Sequence, residues 1–274
     1  MSGKLYVVGT PIGNLGDISP RALEVLESVD TVLCEDTRVT LKLLTHFDIK
    51  ATLYSYHEHN AFEKGEVIIK RLLNGEDFAI VTDAGMPCIS DPGEDIVRLC
   101  GENNIEVVVV PGPSAVISAL AISGLSTSRF SFEGFLSVTK KSRFEHLNDV
   151  KNDRRTLVFY EAPHKLLNTL KDMLEVFGDR KISLVREITK LHEEVIRTTL
   201  SEALDYYRER APKGEFVLVV EGAKEVQKEE FSFEQALDLV KKLQDDGLSL
   251  SQAAKQAAEV TGFKKGDLYK GQIV

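Results

Sequence analysis

The chain is short of the features that would commit it to a membrane, an oxidising compartment or a metal. It holds three cysteines in 274 residues. Cys34, Cys88 and Cys100 lie far apart with no CxxC spacing, which argues for a reducing cytoplasm and against a disulfide framework or a structural zinc site. No run of about 18 apolar residues occurs, and Met1–Lys4 opens no signal-peptide pattern, so neither membrane insertion nor export is expected. Excess positive charge is missing as well. A net charge of −9 argues against non-specific nucleic-acid binding, which works by neutralising phosphates, and DNA is not an expected partner. A folded RNA needs only a local patch. Lys140–Arg155 is the candidate, with six Lys and Arg set among Glu145, Asp149 and Asp153; a solvated helix face or a linker is the equal alternative.

Several catalytic signatures are also absent. Gly9, Gly13 and Gly16 follow a G-x3-G-x2-G spacing rather than G-x-G-x-x-G, and the next helix starts only near Ser19, so no pyrophosphate cradle is set up. There is no P-loop lysine. Ser114 does not sit in G-x-S-x-G, and His192–Glu193–Glu194 lacks the second histidine of HExxH. His57 and His59 fall on one side if the strand before them continues, but no third ligand stands at a diagnostic spacing, and no metal is expected.

What is present is a repeated design. Phe78–Val81 is a short apolar strand that breaks into small residues, turn formers and the carboxylates Asp83 and Asp91. Tyr6–Leu15 and Val107–Ala115 repeat it, a β-branched strand running into a Gly/Pro loop. Such loops sit at the carboxyl edge of a parallel sheet, where open α/β folds bind ligands, and three together predict one crevice.

Strands are predicted at Lys4–Gly9, Thr31–Cys34, Thr52–Tyr56, Phe78–Val81 and Ile105–Val110, with helices between them and one from Ser114 to Ser123. The alternation predicts a mostly parallel sheet covered on both faces. After a break near Gly124–Arg129 come strands at Phe130–Phe135, Thr156–Tyr160, Lys181–Arg186 and Glu215–Val220, with helices after Ala162–Pro163 and over Ser201–Arg210. Lys224–Glu230 reads as a linker. Phe231–Val274 is helical, with an apolar face of Leu237, Val240 and Leu243, a capping box at Ser249 and Gln252, and an alanine stripe ending at Gly262. A helix-turn-helix module fits that pattern, though its slightly acidic charge favours packing or protein contact over DNA reading. The expected divisions are residues 1–124, 125–223 and 231–274.

Eight ordered segments carry a resemblance: GTPIGNLGDISPRA (Gly9–Ala22), EDTR (Glu35–Arg38), SYHEHN (Ser55–Asn60), TDAGMPCISDPG (Thr82–Gly93), PGPSA (Pro111–Ala115), FYEAPHK (Phe159–Lys165), REITKLHEE (Arg186–Glu194) and KGEFVLVVEG (Lys213–Gly222). They are similar to the S-adenosylmethionine (SAM) enzymes of the tetrapyrrole-methylase fold, in the branch that 2′-O-methylates a cytidine of small-subunit (16S) ribosomal RNA. Met86 and Cys88 stand where smaller residues such as Thr and Gly are expected, and Lys165 where Arg is usual. The resemblance implies two α/β domains, the first sheet mostly parallel and the second mixed, followed by a small helical domain. It also implies a homodimer and folded SAM held between the two α/β domains. Carried onto this chain, the cofactor residues are Pro11, Ile12, Asp83, Gly85, Met86, Ser114, Ala115, Tyr160, Glu161, Gly214 and Glu215. Pro11 and Ile12, with Asn14, also shape the acceptor entrance.

Transfer to a ribose hydroxyl needs a general base and a cation for the developing alkoxide. Glu35, Asp36, Arg38, His57, His59, Asn60 and Glu187 form the pool, with Glu35, Arg38, His57 and Glu187 foremost. The target nucleotide must be splayed out to reach a deep cleft, whether it comes from free 16S rRNA or the assembled subunit. Methylation of a tetrapyrrole ring carbon, a SAM-binding ribosomal module without turnover, and a dinucleotide oxidoreductase are the competing readings.

Overall fold

A computed structural model describes residues 2–57, 60–224 and 231–272. The chain separates into two compact units, Met1–Ala223 and Lys224–Val274.

The first unit holds two five-stranded sheets. Strands β1 (Leu5–Val8), β2 (Thr31–Cys34), β3 (Leu53–Ser55), β4 (Phe78–Ile80) and β5 (Val107–Val110) form an all-parallel sheet in the order β3-β2-β4-β1-β5. Right-handed crossovers sort its helices by the direction in which each connection steps along the sheet. Helices α1 (Pro20–Ser28) and α2 (Thr37–His46) follow β1 and β2 on one face; α3 (Ala61–Leu73) and α4 (Glu94–Glu102) follow β3 and β4 on the other. The side-chain alternation of a strand shows the sorting directly. Val8, Val32, Ala79 and Val81 pack with Ala22, Leu26 and Leu44. Leu5, Val7, Leu33, Phe78 and Ile80 pack with Ile68, Leu72 and Ile96. Helix α1 starts as its sequence dictates: Ser19 accepts the Ala22 N–H, and Pro20 fills the first helical position, where no N–H is needed.

The second sheet comprises β6 (Phe130–Phe135), β7 (Thr156–Glu161), β8 (Lys181–Arg186), β9 (Glu194–Thr199) and β10 (Phe216–Val220), in the order β6-β7-β10-β8-β9. Only β6 and β7 are parallel; the other pairings are antiparallel, so this sheet is mixed. Its β9 has no counterpart among the expected strands. Helices α6 (Lys140–Val150), α7 (Leu166–Phe177) and α8 (Leu200–Glu209) cover one face through Leu147, Leu170 and Leu204. The other face is covered by α5 (Ala115–Ile122), whose Val116, Ala119 and Leu120 pack against Val158, Val185 and Val217. Helix α5 thus follows the first sheet in sequence but belongs to the core of the second. Arg197 of β9 fastens its far end by donating to the carbonyls of Ile122 and Ser123, at 2.5 and 3.1 Å.

The basic stretch Lys140–Arg155 is α6 and its exit loop. Arg143 is not available to a partner: it pairs with buried Asp172 at 2.7 Å and donates to the carbonyls of Ser137 and Val138. Arg155 pairs with Asp153.

The second unit packs α9 (Phe233–Asp245), α10 (Leu250–Thr261) and α11 (Lys265–Gly271) around Ala236, Val240, Ala253, Ala257 and Leu268. Capping boxes start both longer helices, at Ser232 with Gln235 and at Ser249 with Gln252. Among the described residues no helix is long and apolar enough to cross a membrane.

Candidate active site

The loops after β1, β4 and β5 meet backbone against backbone. A Cβ built on Gly9 would lie 2.6 Å from Gly112 Cα, which is why both positions carry glycine. Thr10 bridges across to the β4 loop. Its N–H donates to the Gly85 carbonyl (2.9 Å), Gly85 N–H donates back (3.2 Å), and its hydroxyl donates to the Thr82 carbonyl (3.1 Å). The sheet edge is therefore rigid where the sequence is richest in turn formers.

Between this edge and the second sheet lies a cavity of about 350 Å³, within the usual range of roughly 300–1,000 Å³ for small-molecule sites. Ile12, Asp83, Gly85, Met86, Ser114 and Ala115 border it from the first sheet's loops. Tyr160, Glu161, Glu187 and Glu215 border it from the second. Gly85 keeps the wall open: at φ +92° a Cβ there would stand 3.3 Å from Ile12 Cγ2. Pro11 and Gly214 do not line the cavity. Pro11 is buried away from its walls, and Gly214 backs onto the Glu187 carboxylate, 2.5 to 2.6 Å from where a Cβ would sit.

Adjacent positions on a strand face opposite ways, and this separates Tyr160 from Glu161. The Tyr160 ring packs edge-on against Phe132 at 4.9 Å, and burial raises its hydroxyl pKa to about 12. Glu161 turns its carboxylate the other way, to the Thr169 hydroxyl and the Ala162 N–H. It is 2% exposed and orders the start of α7 rather than offering a charge to the cavity.

The foremost catalytic candidates are not gathered in one place. Glu187 alone reaches the cavity just described. Glu35 and His57 line a neighbouring cavity of about 670 Å³, with Ser90 and Asp91 on the walls of both. Arg38 faces a third, more open hollow shared with Glu35, His57 and Asp83. Its guanidinium, 85% exposed, forks onto Asp36 through Nε and Nη2, and this holds the Asp36 carboxyl down at about 2. Strand β3 ends at Ser55, so His57 is not on a strand; it opens a turn closed by Asn60, whose N–H donates to the His57 carbonyl. His59 lies outside the described residues.

Three carboxyls cluster where the cavities adjoin. Burial, then the charges of Asp83 and Asp91, raises Glu35. Burial likewise raises Asp83, and it raises Asp91 against the Thr82 hydroxyl that donates to it at 2.8 Å. Glu187 is shifted the other way. The Glu215 N–H donates to it at 2.9 Å and Lys190 bonds it at 3.0 Å, so its pKa is lowered. No sequence motif marks Lys190, or the place of Asp91 on the walls of both cavities. Among the described residues no group of three or more His, Cys, Asp or Glu side chains could hold a metal ion.

A carboxylate-rich cavity with apolar walls suits a cationic, phosphate-free ligand. SAM fits on that ground: Asp83, Asp91 and Glu215 complement a sulfonium and an ammonium, and Ile12, Met86, Val185 and Val217 offer apolar surface.

Residues 4–204 match the family of Tetrapyrrole (Corrin/Porphyrin) Methylases, and residues 232–270 match the RsmI C-terminal HTH domain. The chain is 47% identical over 269 residues to a ribosomal RNA small subunit methyltransferase I of Synechocystis, covering 98% of this chain and 96% of that protein. It is 46% identical to the protein of the same name from Escherichia coli O157:H7, over 98% of this chain and 94% of the other. Among solved structures it resembles the uroporphyrin-III C-methyltransferase of Thermus thermophilus complexed with S-adenosylhomocysteine, with a TM-score of 0.55 and 19% identity over 79% of this chain and 97% of that one. The paired sheets, the cavity between them and these matches together make the chain a member of the tetrapyrrole methylase family, in the branch of the ribosomal RNA small subunit methyltransferases I.

Proposed function

We propose that the protein is a SAM-dependent methyltransferase that methylates the 2′-oxygen of a cytidine ribose in 16S ribosomal RNA. The observation that carries the reading is the acidic, apolar-walled cavity at the joint edge of the two sheets, in a chain that matches the ribosomal RNA small subunit methyltransferases I along nearly its whole length. SAM, when bound, supplies an electrophilic methyl group on a sulfonium.

Asp83, Gly85, Met86, Ser114, Ala115 and Tyr160 form the proposed cofactor wall. Glu161 keeps the β7 exit in place, and Gly214 leaves room for Glu187. The acceptor nucleotide enters past Ile12 from the side of the Glu35 and His57 cavity. Positioning supplies much of the acceleration of an in-line transfer. Of the pool, Glu35 is the better proton acceptor, because burial and like charge raise it, whereas Glu187 is held ionised by its donors. Arg38, mostly exposed and paired with Asp36, suits an RNA phosphate better than the reacting oxygen. A homodimer in the cytoplasm is part of the proposal; Val109 on edge strand β5 and Ile117 on α5 are exposed apolar side chains that support association.

The test is transfer of labelled methyl from SAM to purified small ribosomal subunits, to protein-free 16S rRNA and to uroporphyrinogen. Label in RNA supports the proposal and names the acceptor's assembly state. Label in uroporphyrinogen alone overturns the acceptor while keeping the cofactor.

A further inference from the structure

Among the described residues that line the first cavity, Lys190 is the single cationic side chain, against Asp83, Asp91, Glu187 and Glu215. A wall of carboxylates welcomes a sulfonium but opposes the negative charge that gathers on an attacking hydroxyl oxygen as its proton leaves. The site therefore needs one compensating cation beside the acceptor. Arg38 does not border this cavity.

Lys190 is held in place with unusual care for a loop residue. Its Nζ donates to Glu187 Oε1 at 3.0 Å and to Glu215 Oε2 at 2.8 Å, from the end of β8 and the start of β10. Glu187 and Thr189 on either side of Ile188 take positive φ values of +49° and +66°, a conformation that costs non-glycine residues about 1–3 kcal/mol. Two glycines make room for the segment. A Cβ on Gly214 would strike the Glu187 carboxylate, and one on Gly13 would lie 2.5 Å from Lys190 Cγ. The β8–β9 connection thus reaches from the second sheet to the β1 loop of the first and brings Lys190 to the cavity wall. Thr189, with its hydroxyl buried and without a hydrogen-bond partner among the described residues, marks the same strained contact.

We propose that Lys190 contacts the acceptor ribose and stabilises the oxyanion developing on its 2′-oxygen during methyl transfer. The proposal rests on the ribose-methylating reading above. In the step, a lone pair of the 2′-oxygen forms the new O–C bond, the S–C bond breaks with its electron pair remaining on sulfur, and the 2′ proton passes to a neighbouring carboxylate or to water. Glu187 and Glu215 face Lys190 and keep it protonated, so it acts as a charge and not as the base.

The experiment compares wild type with Lys190→Gln, Lys190→Met and Lys190→Arg in single-turnover methyl transfer to small subunits, beside SAM binding by calorimetry. Loss of one oxyanion-stabilising donor costs roughly 10²–10³ in rate, so Lys190→Gln is expected to fall about 100-fold while SAM affinity stays within about threefold. Lys190→Arg recovers part of the rate. The gap between wild type and Lys190→Gln stays constant from about pH 7 to about pH 9, because a charge and not the proton acceptor is lost; recovery by Lys190→Arg but not by Lys190→Met is the readout that a merely structural role would not give. A Lys190→Gln rate within about threefold of wild type overturns the proposal, as does a loss shared equally by all three variants. A wild-type protein that labels no ribose overturns the functional reading itself, and the role of Lys190 with it.

Discussion

Gly214→Ala separates the architecture of the cavity from its chemistry. Gly214 has φ +79°, and an added Cβ would meet Glu187 Cγ, Cδ and Oε1 at 2.5 to 2.6 Å. An L-residue in left-handed conformation costs about 1–2 kcal/mol. The clash is with a flexible side chain, so it is relieved by moving Glu187, but the move breaks the Glu215 N–H bond to Oε1 and loosens Lys190. A hydrogen bond to a charged group contributes about 1.5–3 kcal/mol, and with the Glu187 side chain 20% exposed the lower end applies. The expected loss of stability is about 2.5–3.5 kcal/mol, or roughly 5–14 °C in Tm at about 2–4 °C per kcal/mol. Gly178→Ala is the control: it has φ +73° but nothing within 4 Å of an added Cβ, so it strains the backbone without touching the cavity. Thermal melts followed by calorimetry give the stabilities, and methyl transfer well below both Tm values gives the function. Gly214→Ala is expected to transfer methyl at least ~10-fold more slowly than Gly178→Ala, consistent with a displaced carboxylate and ammonium. Equal transfer by the two variants would refute the reasoning.

Asp91→Asn tests the carboxylate cluster. Burial raises the Asp91 pKa in the native state above its unfolded value of about 3.9, so its contribution to stability is lost as pH rises through the raised value. The variant keeps an oxygen for the Thr82 hydroxyl, so its Tm relative to wild type should climb between about pH 4 and pH 7, and its SAM affinity should fall; a pH-independent Tm difference would contradict this. Arg143→Met should lose about 3–5 kcal/mol in urea unfolding, because Asp172, 5% exposed, is left charged without its partner; a loss under ~1 kcal/mol would show the pair to be dispensable.

The sheet edge was legible in the sequence because its physics is local. A β-branched strand that stops at Gly9–Pro11, at Asp83–Met86 or at Pro111–Ser114 must put backbone and small side chains at a strand's carboxyl end, and these stretches do border or build the cavity. Side-chain direction was less legible. Tyr160–Glu161 reads as one unit and both residues border the cavity, yet the two-residue period of β7 turns the Glu161 carboxylate away to Thr169 of α7. Most of the catalytic pool does come together, since Glu35, Asp36, Arg38 and His57 share one hollow, but only Glu187 reaches the cavity between the sheets, because the loop after β8 and not those after β2 and β3 borders it. Strand β9, Glu194–Thr199, is an edge strand of polar and β-branched residues without a buried apolar run, so its sequence carries little strand signal. The hairpin that delivers Lys190 is hidden with it. Helix α5 shows the same limit at larger scale: its uniformly apolar sequence marks it as buried but cannot say which sheet it covers.

The central claim is that the acceptor is a ribose hydroxyl in small-subunit rRNA, and nucleoside analysis of the product tests it most directly. Small subunits methylated by this protein with isotopically labelled SAM are stripped of protein, digested to nucleosides and resolved by mass spectrometry. Ribose methylation at a single site yields one labelled nucleoside, a cytidine whose added mass stays with the sugar on fragmentation. Label on a base fragment, or spread over several nucleosides, would contradict it.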